Sequence, residues 1–496
     1  MTIAAWIARA AIRTSVGRAS AGTGLPESTS HTIVPDSTGR RPATAATKTS
    51  LRVEIMKPQS TRLRTVIKYR KVIGKASIAL AALLCFGAPP AAERADRVLP
   101  ATLAAPVENA LEAADSHLDH FIEQWIRIAE IPAPSGEEER RAAHIEGRFR
   151  ELGLADVHRD TAGNVIGRLR AAAPGGLALA VLAHLDTVAS GTADHRVERL
   201  PGGRLRGPGV RDDSSGLAGV LAVLELMRSH GLTPAADTWF VGTVQEEVGL
   251  HGAERFVSDH QEELGAVIAV DGHLGQISHA ATGIVWLKLH FTAKGAHTLR
   301  AYAEPSTILA AARAIEDISE LDLRRTPEEM ESWLNIGMMG GGDVPNAQAR
   351  DAWFTVDLRS NDPATLTSME ERAIRAGRGA AGSVGVGFEH ETLHRMPGGR
   401  VAGSETSPLV MAAREVLERL KWTDVEVTMR GTADHNVAIS RRIPAIAIGM
   451  TTGGATHTPE EYAETAPFPT GVKQLLLLVL SPVIPADARL QAPVAR

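Results

Sequence analysis

The chain predicts an α/β fold: a mostly parallel sheet with helices on both faces, interrupted by an inserted α+β domain. Three observations carry that reading. Apolar runs at 177–183, 238–244, 266–270 and 445–448 are too continuous for strands with one wet face, and read as strands buried on both sides. Segments with helical spacing alternate with them, as parallel pairing requires. Each run is also followed by an acid or a histidine: His184 and Asp186, Glu246 and Glu247, Asp271, and His457. In open α/β sheets that carboxyl edge is where ligands bind.

Composition excludes several classes. At 44% hydrophobic and 22% charged, the 496 residues have the make-up of a soluble globular protein large enough for more than one domain. A net charge of −5 gives no basic footprint, and 4% aromatics gives few stacking platforms, so nucleic acid is not an expected partner. The single cysteine, Cys85, permits neither an intrachain disulfide nor a thiolate metal site.

Residues 1–55 are rich in Ala, Ser, Thr and Arg with little apolar periodicity, and are expected to be disordered or to lie upstream of the true start at Met56. From Met56 a basic stretch leads into a short apolar run at 76–88. This is the pattern of a secretory signal peptide over about 56–92, and it predicts a periplasmic or secreted enzyme, or a cytoplasmic one if the segment is not used. The body begins near 113. Residues 118–130 have helical spacing, and 136–152 read as an exposed, charged helix. Leu217, Val220, Leu221, Leu224 and Met227 mark an amphipathic helix, with Ser214 and Ser215 as expected caps. Alternating strands at 285–292 and 352–358, with a helix at 306–321 between them, predict an inserted domain over 284–403. This gives a first catalytic segment at 113–283, a second at 404–484, and a tail at 485–496 without packing signal.

The adjacent Glu246-Glu247 pair repels itself unless a cation or a proton intervenes, or unless it is simply a solvated turn. Its company favours the cation. Two nearby divalent ions need about five ligands, one of them a bridging carboxylate. His184, Asp212, Glu247, Asp271 and His457 supply that number. Asp186 is placed to accept the second imidazole N–H of His184, and Glu246 to take a proton from a water at the site. Gly207-Pro-Gly209 permits tight turns beside Asp212. His435 rivals His457 as the last ligand, but His457 follows its strand through a Gly-rich loop on the active edge. His273 and His279 are expected to be surface residues, and His251 a loop histidine.

The order His184-x-Asp186, Gly207-x-Gly-x-x-Asp212-Asp213, Glu246-Glu247, Asp271 and Gly454-Ala-Thr-His457 resembles family twenty of the co-catalytic zinc metallopeptidases, over roughly 115–480. That group includes glutamate carboxypeptidase, aminoacylase, acetylornithine deacetylase, succinyl-diaminopimelate desuccinylase and peptidase T. The resemblance implies two divalent ions, zinc foremost, with cobalt and manganese as substitutes. It makes Asp212 the bridge, His184 and Asp271 the rest of one site, Glu247 and His457 the rest of the other, and Glu246 the general base. It makes the inserted domain a dimerisation lid, and gives His297, in Gly295-Ala-His297, a role in polarising the scissile carbonyl in trans. Asn346 and Arg359 match positions that bind the substrate amide and carboxylate, Arg359 being equally able to form a structural ion pair. Ser214 stands where the family often has lysine, and Gln348-Ala349 where it has Ile-Pro, so substrate specificity is open.

The implied reaction is hydrolysis of a small peptide or an N-acyl amino acid by a homodimer. Two alternatives are a zinc aminopeptidase without the lid, disfavoured by the long interval between Asp271 and His457, and a non-catalytic binder, disfavoured by the intact Glu246.

Overall fold

The computed structural model describes residues 103–173, 175–299, 304–321 and 332–484. The expected extension (1–55), signal-like segment (56–92) and tail (485–496) lie outside the described residues, as does Cys85. No helix of the described residues is long and apolar enough to cross a membrane.

Helical structure starts ahead of residue 113. Helix α1 (Ala105–Ser116) carries Pro106 in its first turn, where a missing N–H costs nothing. It is followed by α2 (Leu118–Ala129) and α3 (Glu139–Glu151). The expectation of an exposed α3 is corrected. Ile145 and Phe149 are buried with Arg141, whose guanidinium donates to the carbonyls of Ile131 (2.7 Å) and Leu185 (2.9 Å). Its charge made the helix look wet, but a buried guanidinium is stable when carbonyls satisfy it.

Strands β1 (Ala155–Arg159), β2 (Val165–Leu169) and β3 (Ala178–His184) come next, then the short hairpin β4 (Glu198–Leu200) and β5 (Arg204–Arg206). Helix α4 (Ser214–Ser229) is capped by Asp213, whose carboxylate accepts from the Gly216 N–H at 3.0 Å; the serines expected as caps are its first helical residues. Nearly every residue of α4 is buried, so it is a core helix with no solvent face along most of its length. Strand β6 (Thr238–Thr243), helix α5 (His251–His260) and strand β7 (Leu264–Val270) continue the alternation.

Two short strands, β8 (Gln276–Ser278) and β9 (Ala280–Ala281), flank His279. Contrary to expectation His279 is buried and hydrogen-bonded to the Ser404 hydroxyl at 2.8 Å; His273 is exposed. The chain then leaves the sheet through β10 (Gly283–Thr292), α6 (Thr307–Ser319), β11 (Ser332–Gly341), β12 (Asp351–Ser360), α7 (Pro363–Val384) and β13 (Gly387–Met396). It returns through β14 (Gly399–Arg400), α8 (Pro408–Arg419), β15 (Glu426–Thr428), α9 (His435–Ser440) and β16 (Ala445–Ile448). Strands β17 (Gly453–Gly454) and β18 (Tyr462–Glu464) and helix α10 (Phe468–Val479) complete it.

The main sheet runs β1-β2-β6-β3-β7-β16-β8-β15. Its centre, β6-β3-β7-β16, is parallel, so four carboxyl ends emerge at one edge. One face packs Trp125, Phe149, Leu221, Phe468 and Leu475 from the surrounding helices, and Trp125 stacks on Phe468 at 4.8 Å. The other face is covered by α5 and α9 through Phe256, Val257, Val437 and Ile439. Each such side chain contributes about 1.5–3 kcal/mol of burial, which holds the strand ends in register.

Strands β10 to β13 form a second, antiparallel sheet in the order β11-β12-β10-β13, with α6 and α7 on one face. Val285, Leu287, Leu289, Phe354, Val356 and Leu358 fill that second core at alternate positions, giving the period of two that the sequence showed. The opposite face carries Lys288, His290, Asp357 and Arg359, and β11 is an edge strand with Trp333, Met338 and Met339 exposed.

Candidate metal centre

The four parallel carboxyl ends bring the acids and histidines together. Among the described residues, one group of metal-ligating side chains lies with ligand atoms within 4.8 Å of one another: His184, Asp212 and Glu247. Asp212 is central. Its Oδ1 lies 2.9 Å from His184 Nε2 and its Oδ2 3.4 Å from His457 Nε2, so the two oxygens face two different histidines. His457 Nε2 is also 3.1 Å from Glu247 Oε2, while Glu247 Oε1 is buried without a partner.

His184 closes β3. Its Nδ1 is held at 3.0 Å by the main-chain carbonyl of Asp186, with the carboxylate behind at 3.4 Å. The expected contact with the carboxylate is thus present but longer than the one to the carbonyl, and the carboxylate has a further task. It accepts the Glu246 N–H at 2.9 Å, the Glu247 N–H at 3.2 Å and the Ser135 hydroxyl at 2.6 Å. Glu138, also buried, accepts the Gln245 N–H at 3.1 Å. Three consecutive backbone N–H groups thus end on two buried carboxylates, and a positive φ at Gln245 (54°) turns the chain there. Arg141 fixes the facing strand end by its bond to Leu185 O. Sequence reasoning missed Glu138 and Arg141, because their charges read as solvent-facing.

The Asp212 loop is equally constrained. Gly209 has φ 64°, and a Cβ there would meet Thr187 Oγ1 at 2.6 Å and Asp212 O at 3.0 Å, so the predicted tight turn needs glycine. The Asp212–Asp213 peptide is cis, and Asp213 Oδ2 accepts the His184 N–H at 3.0 Å. Asp271, just past β7, adds its charge to the same neighbourhood, where burial first and then Asp212 raise its pKa.

The carboxylates of this cluster are crowded and buried, so their charge needs a proton or a cation beside it. Burial pushes the Glu246 carboxyl well above its usual range, with Glu247, Asp271 and Asp434 adding to the effect and His184 opposing it. Burial also lifts Glu247 to about 7, against the pull of His457. Hydrogen bonds to Asp212 and Glu247 hold His457 up at about 10. A proton on His457 and a divalent ion are alternative ways to satisfy the same oxygens, and metal uptake of this kind releases protons. The oxygen and imidazole donors, the Asp212 carboxylate between two histidines and the orphaned Glu247 Oε1 fit divalent-ion binding.

His435 is not part of this group. It is fully buried, its Nε2 lies 3.1 Å from Ala280 O, and burial lowers its pKa to about 4. His251 opens α5 and packs against Gly249. His297 and Asn346 are brought together elsewhere: both are exposed, and the Thr298 N–H donates to Asn346 O at 3.0 Å. Arg359 pairs with Asp357 on its own strand at 3.0 Å.

The model of peptidase family M20/M25/M40 matches residues 180–481, a span that contains every one of these ligand positions. The chain belongs to this family.

Carboxypeptidase G2 of Pseudomonas sp. (strain RS-16) is 24% identical over 285 residues, 53% of this chain and 66% of that protein. Succinyl-diaminopimelate desuccinylase of Corynebacterium glutamicum is 28% identical over 271 residues, 50% of this chain and 68% of that protein. The chain thus spans about two thirds of the length of these relatives. Among solved structures, aminopeptidase PepT from Bacillus cereus superposes with a TM-score of 0.62 at 21% identity, over 73% of this chain and 98% of that one. The YXEP protein of Bacillus subtilis, a dinuclear metal binding peptidase from the M20 family, gives 0.56 at 16% identity, over 74% and 98%. Both share the fold.

Proposed function

We propose that this family member hydrolyses an amide bond, in a small peptide or an N-acyl amino acid, with two divalent ions, zinc foremost. The observation that carries the reading is the Asp212 carboxylate set between His184 and His457, beside a Glu247 oxygen without a protein partner. His184 and Asp271 would hold one ion, Glu247 and His457 the other, and Asp212 both. Bound there, the ions would supply Lewis acidity to a water and to the scissile carbonyl.

The chain's own residues do the rest. Glu246 takes the proton of the attacking water and returns it to the leaving nitrogen. Asp186 and Glu138 keep its loop rigid, which removes the need to order the base during the reaction. His297 would donate to the developing oxyanion from a second copy of the chain. Its exposure, and the exposed Trp333, Met338 and Met339 on edge strand β11, support a homodimer formed through the inserted sheet. Asn346, beside His297, would receive the substrate amide, and Arg359 a substrate carboxylate once it exchanges Asp357 for it. Export through residues 56–92 is also part of this reading, and N-terminal sequencing of the native protein checks it.

The test is to strip the protein with a chelator, reload it with Zn2+, Co2+ or Mn2+, and assay dipeptides against N-acyl amino acids. Metal-dependent release of an amino acid from either class supports the reading. Two bound ions without turnover on any member of the panel would leave a metal-binding protein and sink the hydrolase.

A further inference from the structure

Glu461 is a carboxylate that nothing so far has used. It is 1% exposed, and it stands just before β18, which pairs antiparallel with β5 in the small sheet β17-β18-β5-β4. That pairing lays Glu461 alongside the 207–212 turn, where its main-chain oxygen accepts the Gly207 N–H at 2.9 Å. Its side chain collects four backbone donors. Oε1 accepts from Arg211 and Asp212, each at 2.9 Å, and Oε2 accepts from Gly209 and His457, each at 3.3 Å. One anion therefore ties the backbone of the bridging ligand to the backbone of His457. It does so from the wall of a cavity of about 650 Å³ that His457 also lines.

Arg211 works from the other side. Its guanidinium donates to Gly272 O at 2.7 Å, next to Asp271, and to Thr456 Oγ1 at 2.8 Å, next to His457. It also lies 3.6 Å from Asp212 Oδ2. Between them, Glu461 and Arg211 join the three loops that carry Asp212, Asp271 and His457. His457 needs such support, since its side chain is 51% exposed and its φ is 64°. Loop histidines without packing lose orientation, and a ligand's partners beyond the metal commonly decide its affinity.

We propose that Glu461 and Arg211 form a positioning brace that fixes the distance between the two metal positions by holding the Asp212 and His457 loops together. The inference rests on the two-metal reading above. Glu461→Ala removes all four acceptor bonds. Glu461→Gln keeps an oxygen for one pair of N–H groups and turns an amide N–H toward the other. Thr456→Val leaves Glu461 in place and cuts the tie from Arg211 to the His457 loop.

The experiment titrates metal-free full-length protein with Co2+, following its visible ligand-field absorption, and records the thermal melt of each metal-free variant. The parent is expected to take up two Co2+ per chain. Glu461→Ala is expected to weaken one of the two steps by about 10- to 100-fold, the usual scale for losing such a partner, with altered absorption bands. Glu461→Gln should fall between it and the parent, and the metal-free melts should drop in the same order, furthest in Glu461→Ala where four backbone N–H groups lose their acceptor, with Thr456→Val close to the parent. Parental affinities and spectra in Glu461→Ala would overturn the brace. If that variant does not fold, Thr456→Val carries the test: a weakened step supports the brace and a parental titration overturns it. A parent that binds fewer than two Co2+ defeats the metal-site reading instead, which separates the two failures.

Discussion

Replacing Asp186 by Asn separates two roles that this residue could have. Burial works against its charge, but His184, the Ser135 hydroxyl and the Glu246 N–H outweigh it and hold the carboxyl below the ordinary range. Its Oδ1 serves Glu246 N–H, and its Oδ2 serves both Glu247 N–H and Ser135. An asparagine has one oxygen. If that oxygen stays with Glu246, Ser135 can rotate to accept from the new amide, and the half-buried Glu247 N–H is left unpaired. An orphaned donor costs about 1–3 kcal/mol, and exchanging a charged acceptor for a neutral one at Glu246 about 1 more. The sum, about 2–4 kcal/mol, falls on the loop that carries the base and a ligand. Expressed in the transition state it is a loss of roughly 30- to 900-fold in kcat, at 1.36 kcal/mol per factor of ten. His184 should be spared, because the Asp186 carbonyl holds its Nδ1 at 3.0 Å. The assay is kcat and KM of the metal-loaded variant beside its metal content. A kcat within about threefold of the parent would refute the reasoning. So would loss of one ion with kcat restored by excess metal, which would mean that the 3.4 Å contact of the carboxylate with His184, and not its hold on the Glu246 loop, is what matters.

Other perturbations follow from the same contacts. Gly209→Ala places a methyl 2.6 Å from Thr187 Oγ1 at a positive φ, so a loss of about 2–4 kcal/mol in denaturant melts is expected, with weaker metal binding. Asp434 is buried with one oxygen on Thr243 Oγ1 and the other unpartnered, and burial raises its pKa to about 7. An acid whose folded pKa is raised adds stability below its unfolded pKa of 3.8 that is lost as pH rises through about 7. Metal-free Asp434→Asn should therefore melt higher than the parent at pH 8 and converge on it near pH 4; the reverse order would refute the assignment. Met339→Lys on the exposed edge of β11 should shift a dimer toward monomer in light scattering, and an unchanged mass would place any interface elsewhere.

The strands were legible because burial on both faces leaves continuous apolar runs: 445–448 is strand β16 residue for residue. Four of the five candidate ligands, His184, Glu247, Asp271 and His457, were legible because each follows such a run; Asp212 follows a Gly-Pro-Gly turn instead and was legible only from its acidic motif. What the sequence hid was the buried charge that supports them. Arg141, Glu138 and Glu461 carry the composition of a wet surface, and only the fold reveals that each is enclosed by backbone donors or acceptors. The α4 cap was misread for a similar reason. Asp213 was absorbed into the acidic motif, leaving its neighbouring serines to look like the natural caps. Arg359 shows the limit in the other direction, since a residue matched to a substrate carboxylate is paired with Asp357 in the free chain.

The central claim is that one residue of separation divides holding the metal from using it. It is tested most directly by measuring metal content and turnover together in Glu246→Ala, with Glu247→Ala alongside. The account predicts that Glu246→Ala keeps two ions per chain and loses at least about a hundredfold in kcat, while Glu247→Ala loses metal on dialysis. Near-parental turnover in Glu246→Ala, with its metal intact, would contradict it.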